Sequence, residues 1–178
     1  MMKFLWTAKR DMLTLSARKG LHSVEWCMDA AFAVHPDFKS HTGATQHSIG
    51  GKGAVQSTSA KQKLNTLSST TSELVGADQV LPMVSWTPLF VEAQGHHIKE
   101  NKVWQDNQST MPLEKNRKTS SGKRTRALNM GCSMMTNQVG CGDCTIKHCP
   151  NDDMVGDFVT KGLQGAEFAA FRKKIVST

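Results

Sequence analysis

The chain has 178 residues, 38% of them hydrophobic, with a net charge of +7 and an isoelectric point near 9.3. That length supports one domain with a sizeable core, and the basic balance suits a polyanionic partner, although many basic proteins bind nothing. Five cysteines make no disulfide framework, Met1 to Trp6 is too short for a secretory segment, and no run approaches the roughly 20 apolar residues of a membrane span. A reducing, intracellular compartment is expected.

Residues 1–22 are basic and weakly patterned. Residues 23–34 alternate and then turn apolar, which predicts a first strand. Pro36-Asp37 starts a turn, and 43–49 with 52–58 flank Gly50-Gly51 as a hairpin. Residues 61–67 are polar and loop-like. A helix is predicted from near Ser69, with Leu74, Ala77, Leu81 and Val84 on one face. Pro82 and Pro88 each remove a backbone donor and are expected to kink or end it. Residues 98–105 read as a strand and 107–116 as a short helix. Residues 114–126 form a basic loop, setting Lys115, Arg117, Lys118, Lys123, Arg124 and Arg126 against Glu114 alone. Residues 144–149 read as a last strand and 151–176 as one or two closing helices. The sequence of elements implies an α/β domain with a mixed sheet, and there are no internal repeats.

Four acids stand out along this order: Asp29 in an apolar strand, Glu73 at a helix start, Asp106 at a strand end and Asp157 in a late helix. Clustered carboxylates suit divalent metal, since hard ions take oxygen ligands and a pair roughly 3.5–4 Å apart drives phosphodiester hydrolysis. Each acid also has a plainer reading. Asp29 can be a polar strand-edge residue. Glu73, three residues after Thr70, can close a capping box, and by spacing alone that reading is the stronger. Asp106 can cap a helix or turn. Asp157, four residues after Asp153, can share a solvated helical face with it. The basic loop can grip a sugar-phosphate backbone or be solvated surface. Trp86 and Trp104 read as core. Cys141, Cys144, His148 and Cys149 could hold zinc, but their spacing matches no common finger or knuckle.

The words around the acids resemble a known family. They run Asp29-Ala30, Phe32-Ala33-Val34-His35-Pro36-Asp37, Ser40-His41-Thr42-Gly43, Gly51-Lys52-Gly53-Ala54-Val55 and Lys61-Gln62-Lys63-Leu64-Asn65-Thr66. They continue with Ser68-Ser69-Thr70, Glu73-Leu74-Val75-Gly76, Gln105-Asp106-Asn107-Gln108-Ser109, Lys123-Arg124-Thr125-Arg126, Cys149-Pro150 and Leu163-Gln164-Gly165. From about Met2 to Phe171 the chain resembles the ribonuclease H domain that ends copia-type retrotransposon polyproteins.

The resemblance implies a ribonuclease H-like mixed five-stranded sheet flanked by helices over 23–165. It makes 1–22 a remnant of the connection to a reverse transcriptase and 166–178 a helical tail. Asp29, Glu73, Asp106 and Asp157 match the family's ligands for two Mg²⁺ (or Mn²⁺) ions, Asp29 and Asp106 being shared and Glu73 and Asp157 completing one ion each. The implied partners are an RNA–DNA hybrid, whose RNA strand is cut, and the reverse transcriptase domain of the same polyprotein. No membrane is implied; the place is a cytoplasmic particle or the nucleus. The chain begins with methionine with no polymerase before it, so a fragment or decayed element is expected. Where the family carries aromatic and Ile-rich words, this chain has Ala127 to Met135, and Pro88 falls in a normally continuous helix. Poor packing over 127–140 is therefore expected. A catalytically silent remnant that at most binds nucleic acid stays as the second reading.

Overall fold

The computed structural model describes residues 12–15, 23–47, 53–108 and 135–176. Its elements are β1 (Ser23–Ala31), β2 (His41–His47), β3 (Ala54–Lys61), α1 (Ser69–Ala93), β4 (Glu100–Gln105), β5 (Thr145–His148), α2 (Asp157–Thr160) and α3 (Gly165–Val176). Residues 135–141 are also helical, and Asn151–Asp153 make a 3-10 turn. The five strands form one sheet in the order β3-β2-β1-β4-β5. β1 runs antiparallel to β2 and parallel to β4, β2 antiparallel to β3, and β4 parallel to β5. This is the mixed five-stranded sheet with flanking helices that the sequence implied.

β1 is central, so it is covered on both faces, as interior strands of a two-sided sheet must be. Its even residues Val24, Trp26 and Met28 join Ala77, Val80, Leu81 and Val84 of α1 in the larger core. Cys27 faces the other way, into a smaller core with Cys149, Met154, Val155 and Phe171. Phe171 belongs to α3, so the expected tail is docked against the sheet. β1 ends at Ala31, short of the expected 34, because Ala33 adopts a left-handed φ of 52° that leaves the extended region. Of the expected 1–22 connection only 12–15 are described; there Thr14 N–H donates to Val176 O at 2.9 Å.

Three expectations about helices need correction. α1 runs unbroken from Ser69 to Ala93 with Pro82 and Pro88 inside it. A proline orphans the carbonyl four residues earlier. For Pro88 that carbonyl is Val84 O, and the side-chain amide of Asn101 on β4 donates to it at 2.9 Å. For Pro82 it is the carbonyl of Asp78, on the exposed side where water can reach it. Second, α1 is long and apolar enough by length and composition to cross a membrane. It packs instead along the sheet, burying Val75, Ala77, Val80, Leu81 and Val84. Third, part of the stretch expected to pack poorly is well placed, for Met135 is 1% exposed in the larger core; residues 127–134 lie outside the described ones. Trp86, expected in the core, is 58% exposed and stacks on Phe90.

Asn101 is 7% exposed and spans two carbonyls, Val84 O at 2.9 Å and Asp143 O at 3.2 Å. Asn101→Leu keeps the volume and strands both acceptors. A loss of about 1–3 kcal/mol is expected in denaturant unfolding. An unchanged midpoint would show that Pro88 needs no such rescue.

Candidate metal centre at the ends of β1 and β4

Parallel pairing brings the first two acids together. Met28 on β1 pairs with Gln105 on β4. The residue after each is an acid: Asp29, still paired with Gly43 on β2, and Asp106, just past the end of β4, so the two stand side by side. Glu73 arrives from the second turn of α1. Ser68 caps that helix, its hydroxyl accepting from Thr71 N–H at 3.2 Å, so capping does not need Glu73. Gln62 fixes the helix start, donating to Thr42 Oγ1 at 2.9 Å and to Ser72 O at 2.8 Å. Gly76 allows the close approach: a Cβ there would stand 3.3 Å from that of Ala30.

Asp29, Glu73 and Asp106 present ligand atoms all within 4.8 Å of one another, the one such group of three His, Cys, Asp or Glu side chains among the described residues. Asp29 and Glu73 are 2% and 4% exposed. Burial, then the charges of Asp29 and Asp106, push the Glu73 carboxyl up to about 9, against a hydrogen bond from Gln105 Nε2 at 3.2 Å. Burial and Asp29 also raise Asp106. Its Oδ1 is buried without a hydrogen-bond partner. Asp29 is held by the Thr160 hydroxyl, which donates to Oδ2.

Asp157 is not one of those three but adjoins them through Asp29, whose carboxylate interacts with its own. It is 5% exposed and starts α2, whereas Asp153 belongs to the preceding 3-10 turn and pairs with Lys174 at 2.8 Å. The shared solvated face is thereby overturned. Gly156 and Gly43 seat this turn against β1 and β2: a Cβ on Gly43 would stand 2.5 Å from Thr160 Cγ2, and one on Gly156 3.1 Å from Asp29 Cβ. Lys161 Nζ lies 2.7 Å from Asp157 Oδ1 and 3.9 Å from Asp29 Oδ2. Burial raises Asp157 to about 6 despite the hydrogen bond from Lys161 that pulls it down. Burial on its own lowers Lys161, but that bond and the neighbouring carboxylates hold it above its usual value. Lys161 and Thr160 were not singled out from the sequence; the i, i+4 spacing of Asp157 and Lys161 is the signal that points to them.

The zinc alternative fails on placement. Cys144 is buried in the core beneath α1, Cys149 in the core on the opposite face, and Cys141 is exposed. Burial pushes the Cys149 thiol up to about 11, far from the thiolate that zinc needs. Trp104, expected in the core, is half-buried and packs against the smaller core, its Nε1–H donating to Glu25 Oε2 at 3.1 Å. Lys115, Arg117, Lys118, Lys123, Arg124 and Arg126 lie outside the described residues, as does most of the expected 107–116 helix.

No protein-family model matches the chain, and no curated protein matches it. Solved structures do. The chain is similar to LC11-RNase H1 in complex with an RNA/DNA hybrid, with a TM-score of 0.53 at 9% identity, covering 76% of this chain and 92% of that one. A second structure of LC11-RNase H1, isolated from compost by a metagenomic approach, gives 0.51 at 9% identity over 74% and 86%. The N-terminal RNase H domain of rv2228c from Mycobacterium tuberculosis gives 0.50 at 11% identity over 84% and 98%. The likeness is one of architecture: the chain has the ribonuclease H fold.

Proposed function

We propose that this chain is a copia-type ribonuclease H domain that hydrolyses the RNA strand of RNA–DNA hybrids with divalent Mg²⁺ or Mn²⁺. The observation that carries this is the buried, partnerless Oδ1 of Asp106 beside the carboxylates of Asp29 and Glu73. Unpaired buried charge is costly, and hard carboxylate oxygens fit a hard divalent ion. Asp29, Glu73 and Asp106 would hold metal, with Asp157 the fourth acid of the centre. Bound metal would supply activated water and charge stabilisation at the leaving oxygen.

The chain's own groups prepare the site. Thr160 orients Asp29, Gln105 orients Glu73, and Lys161 orients Asp157. A neighbour of the same fold is solved with an RNA/DNA hybrid, which supports a hybrid as substrate. Recognition of that duplex would rest on backbone shape and 2′-hydroxyls, with Lys115, Arg117, Lys118, Lys123, Arg124 and Arg126 as candidate phosphate contacts. In an intact element the partner would be the reverse transcriptase domain of the same polyprotein.

The test is cleavage of a labelled RNA–DNA hybrid by purified protein, with single-stranded RNA and double-stranded DNA alongside. Cutting of RNA in the hybrid alone, present with Mg²⁺ and lost with EDTA, is the expected result. A folded protein that binds the hybrid and never cuts it would favour the silent-remnant reading.

A further inference from the structure

Asp157 adjoins the other three acids through Asp29, whose carboxylate lies against its own, but the two sides of the centre have different partners. Asp29, Glu73 and Asp106 share one space, while Asp157 gives its Oδ1 to the Lys161 ammonium at 2.7 Å. The same ammonium is 3.9 Å from Asp29 Oδ2. An ion set between Asp29 and Asp157 would have to displace the ammonium that already lies against both carboxylates.

Resting on the reading of these acids as metal ligands, we infer that Lys161 takes the place of a second ion. The centre binds one divalent ion at Asp29, Glu73 and Asp106, and the ammonium supplies the positive charge on the Asp157 side.

The placement is built into the turn. Lys161 N–H donates to Asp157 O at 2.9 Å, closing the last turn of α2. An acid four residues before a lysine is the favourable order for a helical ion pair. Thr160, the residue before, anchors the same turn to Asp29. The Asp29 and Asp157 side chains are 3% and 8% exposed, so each gains from a nearby cation, while that of Lys161 is 43% exposed and opens toward solvent. An ammonium cannot ionise water as a divalent ion does, so Lys161 acts as a positioning and charge-balancing residue.

Ion counting tests this. Mn²⁺ is titrated into chelator-treated full-length protein, and bound ion is counted by calorimetry and by the paramagnetic resonance of free Mn²⁺. Wild type is expected to take one ion, Lys161→Met two and Lys161→Arg one. Two ions in wild type, or one in a folded Lys161→Met protein, would overturn the inference and leave the metal-ligand reading standing. No bound Mn²⁺ in any variant would remove that reading itself. If Lys161→Met does not fold, Lys161→Gln decides: two bound ions support the inference, and one bound ion refutes it.

Discussion

Asp106→Asn is expected to lower hybrid cleavage by about a hundredfold or more, the scale of losing several kcal/mol of metal-borne charge stabilisation. Hybrid binding should stay intact or tighten, because the change removes a negative charge facing phosphate. The ion-free variant should also melt higher than ion-free wild type. Asn keeps the shape of Asp at the end of β4 but relieves the repulsion from Asp29, which helps raise both Asp106 and Glu73. Losing activity while gaining stability separates a functional acid from a structural one, for a structural acid would lose both. Equal cleavage by variant and wild type would sink the assignment of Asp106 to the metal.

That convergence was legible in the sequence only in part. The order strand, hairpin, helix, strand, late strand, helix is local patterning, and it produced the correct mixed sheet. The meeting of Asp29 with Asp106 is a matter of parallel register between β1 and β4, which periodicity within either strand does not contain. Glu73 shows the limit from the other side. Its spacing from Thr70 fits a capping box, but the helix caps two residues earlier, at Ser68, and the carboxylate is left for the interior. The proline expectation erred for a tertiary reason. Pro88 does orphan Val84 O, and a β4 side chain thirteen residues further on supplies the missing donor. Cys144 and Cys149 failed as a metal pair because β5 lies between them and delivers them to opposite sheet faces. The Asp157–Lys161 pair was visible by spacing, but Asp153 at the same distance on the other side offered an equally plausible helical face.

Ion-free protein should lose stability as pH rises from about 5 to about 9, and divalent ion should restore it. The Glu73 carboxyl is raised from its ordinary 4.5 to about 9 in the fold, chiefly by burial. Below pH 4.5 folded and unfolded chains both hold the proton, and the fold carries no penalty. Between the two values the unfolded chain has released the proton and the folded chain keeps it, so stability falls by on the order of 1 kcal/mol per pH unit. Above about 9 both are ionised and the loss is complete. Asp157, raised from 3.8 to about 6, adds a loss of the same sign at the acid end. A divalent ion binds the ionised carboxylate, so it displaces the Glu73 proton and its stabilisation grows with pH. The melting temperature without ion should therefore be lower at pH 8 than at pH 6, and the upward shift on adding Mg²⁺ larger at pH 8. Calorimetry in buffers of different ionisation enthalpy should register proton release on ion binding near neutrality. Glu73→Gln should flatten the ion-free pH slope, since the amide fills the same space without titrating. A wild-type slope as flat as that of Glu73→Gln would mean that Glu73 is ionised in the empty fold, and that some cation other than metal already balances the three acids.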